Sequence, residues 1–378
     1  MSGSVESRPV AEEQVQIFPT ETCDFNCEGC PYPKKSREKR LELFDGEIGP
    51  GEWEEIIDYL YSMGNRLFCI MGGEPASYRR GIETVIKDLT SHPDVFVLLS
   101  TSGIYLLRNH ALREAVGETL SQPANREFKN GIAISFDAIP SEVEPSNSRK
   151  FKAEQGLDLV RVMKEEYGDK IIYIANVMIT PDNLPLISDI QTFLQKEEVY
   201  TNLCTIQEKC FGKSTAVFNI SHLRGLSRVG VEMIRKKIEG KLVANSVSYL
   251  SQLPGIVGKE DYRCWEEPNG SPIIDVGPDG KFRYCNWIGQ DRLGGPPGVN
   301  WQDLRDGITS WDEFWVRSKE TTTMLCNGCS WSRRDRGIKP MVGFNPNTLK
   351  ESNLLPFDPQ DLRLQNIWVQ AQLSIVKR

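Results

Sequence analysis

The chain has 378 residues, a formal net charge of -7, 39% apolar residues and 26% charged residues. This length predicts two domains, and the apolar content is sufficient for a buried core. The acidic balance argues against a nucleic-acid partner, because phosphates require a basic surface. No apolar run reaches the roughly eighteen residues of a membrane span, so we expect no membrane partner.

Short apolar runs alternate with helical patterns through the first two thirds of the chain. Strict alternation of strands and helices predicts an α/β fold in which crossover helices connect a parallel sheet. The predicted strands are Val15–Pro19, Leu67–Met71, Val95–Ser100, Ile132–Phe136, Ile171–Met178 and Val199–Ile206. The predicted helices are Glu52–Met63, Arg80–Ser91, Tyr105–Leu120, Phe151–Tyr167, Leu184–Lys196 and His222–Glu239.

Three cysteines, Cys23, Cys27 and Cys30, lie within eight residues after the first strand. Three thiolates in one loop can hold a [4Fe-4S] cluster by three corners and leave the fourth iron open. A structural zinc site usually has paired C-x-x-C ligands, and a disulfide framework is typical of short secreted chains with a signal peptide. The spacing therefore favours an iron-sulfur cluster, which implies a reducing cytoplasm.

The second predicted strand ends in a GGEP motif formed by Gly72, Gly73, Glu74 and Pro75. Glycines at the end of a strand allow the backbone to approach a ligand closely, and a glutamate offers a carboxylate to an ammonium group. In isolation such a string is most often an ordinary turn. Following a CX3CX2C loop, it resembles the corresponding motif of the radical S-adenosylmethionine superfamily.

This resemblance implies a partial (β/α)6 barrel of the TIM type, with the chemistry at the carboxyl ends of the strands. S-adenosylmethionine would bind the open iron through its amino and carboxyl groups, with the GGEP residues as part of its site. The resemblance also assigns Ser135, Asp137 and Asn176 to contacts with the ribose or carboxylate of the cofactor. The chain departs from the family at Gly29, where many members have an aromatic residue.

A second group of cysteines follows in the last third of the chain. The segment between the first two of them reads as a β-hairpin around Pro278 and Gly280, which would bring both thiolates to one end. The spacing alone also fits a four-cysteine zinc ribbon. The pattern resembles the twitch extension of the SPASM/twitch group and implies a second, fully ligated [4Fe-4S] cluster. Its four cysteines are Cys264, Cys285, Cys326 and Cys329.

The predicted organisation is a flexible N-terminus (1–14), the barrel (15–245), a small twitch domain of hairpin plus helix (246–345) and a tail with a helix (346–378). Two other cysteines, Cys69 and Cys204, lie inside predicted strands and are expected to be buried. Cys210 follows the sixth strand on the catalytic side, where its thiol is either a hydrogen-atom donor or an inert loop residue.

The resemblance implies that the protein cleaves S-adenosylmethionine reductively to a 5'-deoxyadenosyl radical, which abstracts hydrogen from a small-molecule substrate. We expect a two-electron oxidation of a sugar or aminocyclitol, because the layout of the two cluster sites is similar to that of the 2-deoxy-scyllo-inosamine dehydrogenase family. Flavodoxin or ferredoxin would donate the electron, and the basic run 33–40 offers a docking segment.

Three alternatives remain open at this point. The first is a redox-neutral epimerase that uses Cys210 as hydrogen donor, and the second is a peptide-modifying maturase. The third is an iron-sulfur sensor that only binds. The GGEP motif argues against the sensor, because a sensor has no need of an amino-acid site beside an open iron.

Overall fold

A computed structural model of the protein describes residues 14–25, 45–78, 80–122, 129–136, 138–139, 148–205, 218–245, 247–258, 274–283 and 298–316. Six parallel strands form the main part of its sheet and pair in chain order. They are β1 (Gln14–Ile17), β2 (Leu67–Ile70), β3 (Phe96–Thr101), β4 (Gly131–Ser135), β5 (Ile172–Ile179) and β6 (Tyr200–Thr205). The predicted α/β fold with a parallel central sheet is confirmed.

Helices connect these strands, as the alternating pattern predicts. They are α1 (Pro50–Ser62), α2 (Ile82–Ser91), α3 (Ile104–Arg108), α4 (His110–Leu120), α5 (Ser148–Tyr167), α6 (Ile187–Lys196), α7 (Ile220–Ile238), α8 (Val247–Gly258) and α9 (Trp301–Arg305). Within the described ranges, no helix combines the length and apolar character that crossing a bilayer requires.

The two faces of the sheet are covered differently. Successive strand residues point to opposite faces, so every second side chain of a strand shares one environment. Ile17, Ile70 and Leu99 belong to the large cluster that joins the sheet to its helices. Cys69 and Leu98 belong to a smaller cluster on the other face, which we call the inner face. Burial on both faces explains why the strands read as continuous apolar runs.

One predicted helix is divided in the structure. The sequence predicts a single helix over Tyr105–Leu120, whereas α3 ends at Arg108 and α4 begins at His110. Between them, Asn109 has extended backbone and its side chain accepts a hydrogen bond of 3.1 Å from the backbone N–H of Leu112. A side-chain N-cap of this kind starts a new helix and interrupts the previous one.

The hairpin predicted around Pro278 is present. It consists of β7 (Ile274–Val276) and β8 (Lys281–Arg283), which pair antiparallel. The short strand β9 (Val299–Asn300) pairs with β8. Because β7 also pairs in parallel with β1, the hairpin extends the barrel sheet. The ordering across the sheet is β6-β5-β4-β3-β2-β1-β7-β8-β9.

Aromatic side chains pack the β7–β9 extension of the sheet against α1. The ring of Tyr59 lies 6.4 Å from Phe282, 6.3 Å from Trp301 and 6.5 Å from Trp311, measured between ring centroids. The indole Nε1 of Trp311 donates a hydrogen bond of 3.1 Å to the Tyr59 hydroxyl. Aromatic pairs at these distances stabilise packing beyond the area they bury. Residues 298–316 are thereby held against the first helix of the barrel.

The carboxyl group of Asp88, between α1 and α2, should make the stability of the folded protein depend on pH. Burial raises the pKa of Asp88 to about 6, and the negative charges of Glu54 and Asp58 add to this shift. In the unfolded chain the pKa of this carboxyl is about 3.9, so below pH 4 the group is protonated in both states and costs no stability. As pH rises through 6, Asp88 must ionise in the folded state in spite of burial and the neighbouring negative charges, and stability is lost. Asp88→Asn should therefore raise the melting temperature at pH 8 by about 2 °C and leave it unchanged at pH 4.

Thermal unfolding followed by circular dichroism at both pH values tests this expectation. The control is Asp45→Asn, which removes an exposed carboxylate outside the α1–α2 contact. An equal effect of Asp88→Asn at pH 4 and pH 8 would contradict the assigned electrostatic cause.

Candidate active site

The two sequence motifs meet where the first two strands end. The backbone N–H of Gly73 donates a hydrogen bond of 3.0 Å to the Thr20 carbonyl, and that of Glu74 donates one of 2.7 Å to the Thr22 carbonyl. Cys23 is the next residue after Thr22. The loop that carries the first cysteine is therefore fixed to the GGEP turn by main-chain hydrogen bonds.

The glycine pair is required by how closely these loops approach each other. A Cβ atom at Gly72 would lie 2.4 Å from the Thr20 carbonyl oxygen, and Gly72 also has a φ of +133°. A Cβ atom at Gly73 would lie 2.1 Å from the Thr22 carbonyl oxygen. Both distances are far below contact, so any side chain would force the loops apart.

The carboxylate of Glu74 is buried and holds the loop after β3. Its Oε1 accepts hydrogen bonds from Thr101 Oγ1 at 2.5 Å and from the Ala76 N–H at 3.3 Å. Its Oε2 accepts from the Ser102 N–H at 2.8 Å and from Ser102 Oγ at 2.5 Å. A carboxylate has about four acceptor positions, so these donors occupy all of them. A contact between Glu74 and a ligand ammonium remains a prediction.

Hydroxyl groups add a second connection between the loops, which sequence reasoning missed. Thr20 Oγ1 lies 2.8 Å from Thr22 Oγ1, which in turn lies 3.0 Å from Ser77 Oγ. Ser77 belongs to the short 3-10 turn Pro75–Ser77, and Glu74 caps this turn. The Thr-x-Thr pattern directly before Cys23 is the sequence feature from which this connection could have been predicted. Pro75 is buried and begins the turn.

A cleft of about 530 Å³ opens beside Cys23. Its walls include Asp24, Ser77, Tyr105 and Asn109. The Tyr105 hydroxyl donates a hydrogen bond to the Asp24 carboxylate. Burial raises the pKa of Tyr105, and the hydrogen bond and charge of Asp24 raise it further. Tyr105 therefore remains a protonated donor at neutral pH, and it fixes the residue that follows the partly exposed thiol of Cys23.

Two further predicted residues are neighbours on adjacent strands. Ser135 ends β4 and is in register with Asn176 of β5. Asn176 is in turn in register with Asn202 of β6, whose Nδ2 donates a hydrogen bond of 2.8 Å to Asn176 Oδ1. Sequence reasoning missed Asn202, although polar residues at alternate positions of a predicted strand indicate its less apolar face.

The two strand cysteines differ in their surroundings. Cys69 is buried as expected, and burial raises its pKa to about 12, with a further contribution from Cys204. The expectation that Cys204 is also buried is wrong, because its side chain is partly exposed. Cys204 Sγ accepts a hydrogen bond of 3.5 Å from Asn202 Nδ2.

Several predicted site residues lie outside the described residues, and their roles stay predictions. Among the described residues, no three His, Cys, Asp or Glu side chains form a group that could hold a metal ion. The predicted site residues outside the described ranges are Cys27, Cys30, Asp137, Cys210, Cys264, Cys285, Cys326 and Cys329.

Because the two loops approach each other so closely, we expect Gly73→Ala to destabilise the protein. The added methyl group would overlap the Thr22 carbonyl, so the GGEP turn must move away from the loop that carries Cys23. We expect a loss of about 1–3 kcal/mol in the free energy of unfolding, the usual cost of overpacking. Urea unfolding measures this loss of stability.

The matched control is Gly51→Ala in α1, where no atom lies within 4 Å of the added Cβ. This variant should be neutral or stabilised by up to about 1 kcal/mol, because alanine is the better helix former. Equal stability of the Gly73 and Gly51 variants would refute the close-approach explanation.

Residues 17–190 match the family model described as Radical SAM superfamily. No curated protein matches the chain in sequence.

Solved structures resemble the chain in fold. SuiB of Streptococcus suis bound to S-adenosylmethionine superposes with a TM-score of 0.56 at 14% identity, covering 81% of this chain and 67% of SuiB. SuiB bound to precursor peptide SuiA gives a TM-score of 0.56 at 14% identity, with coverages of 85% and 70%. Native anSMEcpe with bound AdoMet and Cp18Cys peptide gives 0.54 at 15% identity, with coverages of 90% and 99%.

The family match runs from Ile17, the last residue of β1, into α6, and it includes the cysteine loop and the GGEP turn. The chain therefore contains a radical S-adenosylmethionine domain.

Proposed function

We propose that the protein generates a substrate radical from S-adenosylmethionine at the carboxyl ends of β1 to β6. The observation that carries this proposal is the main-chain pairing of Gly73 and Glu74 with the loop that leads to Cys23. It brings the GGEP turn, the expected binding site for the amino-acid part of the cofactor, next to the first of three closely spaced cysteines. A protein that only stored or sensed a cluster would have no use for this arrangement.

The residues of the cysteine loop, the GGEP turn and the next strand ends would hold the cofactors that the family uses. Cys23 would hold the cluster together with Cys27 and Cys30, and the GGEP turn with Ser135, Asp137 and Asn176 would hold S-adenosylmethionine. Gly72 and Gly73 have no side chains, which allows the turn to lie against the loop that leads to Cys23. When bound, the cluster and S-adenosylmethionine supply a 5'-deoxyadenosyl radical that abstracts hydrogen. The chain itself positions the ligands and excludes side reactions.

For the net reaction, we favour a two-electron oxidation of a small polar metabolite such as a sugar or aminocyclitol. A second [4Fe-4S] cluster on Cys264, Cys285, Cys326 and Cys329 would accept the second electron. The β7–β8 hairpin supports this assignment, because it brings the chain before Ile274 and the chain after Arg283 to the same end. Flavodoxin or ferredoxin in the cytoplasm would provide the first electron.

Peptide modification is the second candidate function. It is favoured by the solved structures of similar fold, since SuiB is bound to precursor peptide SuiA and anSMEcpe to a Cp18Cys peptide. The two candidates share the first half of the reaction and differ only in the molecule from which hydrogen is taken.

Replacement of the first three cysteines tests the function directly. Anaerobically reconstituted protein with dithionite and S-adenosylmethionine should release 5'-deoxyadenosine. The triple variant Cys23→Ala, Cys27→Ala, Cys30→Ala should retain about four irons, held by the second cluster, and release no 5'-deoxyadenosine. Iron analysis and chromatography of the products measure both quantities.

The matched variant is Glu74→Ala, which should keep the full iron content but bind S-adenosylmethionine at least tenfold more weakly. The reason is that loss of the carboxylate leaves the buried donors of Thr101 and Ser102 unsatisfied and frees the GGEP turn. If the triple cysteine variant keeps all the iron of the unmodified protein, the assignment of the first cluster is wrong.

The fate of the substrate radical separates oxidation from epimerisation. Oxidation removes two hydrogens, whereas epimerisation in heavy water returns one deuteron from an exchangeable thiol such as Cys210. We expect a product lighter by two mass units, without deuterium, and turnover that survives Cys210→Ala. Mass spectrometry of the product decides. A product that is heavier by one mass unit, with deuterium at the abstracted carbon, and that is lost in Cys210→Ala would establish the epimerase instead.

A further inference from the structure

Three asparagine side chains form a hydrogen-bonded chain that ends at the predicted cofactor contact. Asn245 lies in the segment after α7, which pairs with the outer edge of β6. Asn245 Nδ2 donates to Asn202 Oδ1 at 2.9 Å, and Asn202 Nδ2 donates to Asn176 Oδ1 at 2.8 Å. The chain thus crosses from the sheet edge through β6 to β5.

The backbone of Leu203 determines the orientation of all three amides. Its N–H donates a hydrogen bond of 2.7 Å to Asn245 Oδ1, and its carbonyl accepts one of 2.9 Å from Asn245 Nδ2. A main-chain N–H can only donate, so Oδ1 of the buried Asn245 must face it. Asn245 then presents Nδ2 to Asn202, which must turn its Oδ1 toward Asn245 and its Nδ2 toward Asn176. Each amide in the chain is oriented by the one before it.

The last amide in this chain faces the interior of the barrel. Ala175 and Val177 pack in the cluster under the helices, whereas Ile174 packs in the inner-face cluster, so Asn176 shares the inner face with Ile174. Asn176 Oδ1 is used by Asn202. Within the described part of the chain, Asn176 Nδ2 has no acceptor. The network therefore leaves two hydrogens of one amide available on the inner face of β5, level with Ser135 at the end of β4.

We infer that Asn202 and Asn245 are positioning residues that orient the Asn176 amide so that it donates to an oxygen of the bound cofactor. This inference rests on the proposed function, because the acceptor is a carboxylate or ribose hydroxyl oxygen of S-adenosylmethionine. Without the network, the amide of Asn176 could turn and present its own oxygen. Hydrogen bonds in a chain also polarise one another, which strengthens the last donor.

Asn202→Asp reverses the polarity of the network with almost no change in shape. The new carboxylate still accepts from Asn245, but it can no longer donate to Asn176. Asn176 must then turn its Nδ2 toward Asp and its Oδ1 toward the ligand. We expect isothermal titration of anaerobically reconstituted protein to show S-adenosylmethionine binding weakened about 10- to 100-fold, the effect of losing a hydrogen bond to a charged group.

Asn202→Ala is the matched variant. It releases Asn176 without inverting it, so affinity should fall only about threefold. Asn176→Asp should bind as weakly as Asn202→Asp, because it accepts from Asn202 and offers the ligand an oxygen. A purely structural role of Asn202 predicts the opposite order, since alanine removes more packing and more hydrogen bonds than aspartate. Melting temperature and iron content are recorded for each variant to separate affinity from folding.

Affinity in the order wild type, Asn202→Ala, Asn202→Asp supports the inference. Equal or stronger weakening by alanine overturns it, and so does unchanged affinity in Asn202→Asp. If Asn202→Asp does not fold, Asn176→Asp decides, and wild-type affinity there overturns the inference. Failure of the wild-type protein to bind S-adenosylmethionine would instead refute the proposed function. Decarboxylated S-adenosylmethionine identifies the acceptor, because its binding is insensitive to Asn202→Asp only if the acceptor is the carboxylate.

Discussion

The site depends on two main-chain hydrogen bonds, from Gly73 to the Thr20 carbonyl and from Glu74 to the Thr22 carbonyl. They continue the pairing of β1 and β2 beyond the strands and into the loops. Backbone groups can approach this closely only because residues 72 and 73 have no side chains. Strand pairing is rigid, so a loop fixed in this way keeps its position on the scaffold although it carries reactive residues.

Neutral dipoles organise the remainder of the site. The buried Glu74 carboxylate is surrounded by hydroxyl and N–H donors from Thr101 and Ser102. The amides of Asn202 and Asn245 extend the same principle to the far side of the sheet. Buried polar groups cost free energy unless they are fully hydrogen-bonded, and such complete networks specify one arrangement.

The sequence was sufficient for the order of strands and helices, because periodicity reports burial directly. Through the resemblance of the pair it also predicted that GGEP and the cysteine loop belong to one site, and the GGEP turn does lie against the residues that precede Cys23. It did not reveal that Asn109 starts a new helix, since a single side-chain cap competes locally with helix propensity. The partners of Glu74 and Asn176 come from other strands, and such pairings depend on register, which one sequence does not contain.

The position of β1 has a consequence for the order of events during synthesis. β1 lies between β2 and β7, and Val15 pairs with Ile274, about 260 residues later in the chain. At roughly 5–20 residues per second, the ribosome needs on the order of ten to fifty seconds to supply that partner. During this interval one edge of β1 has no neighbouring strand, next to the loop of Cys23.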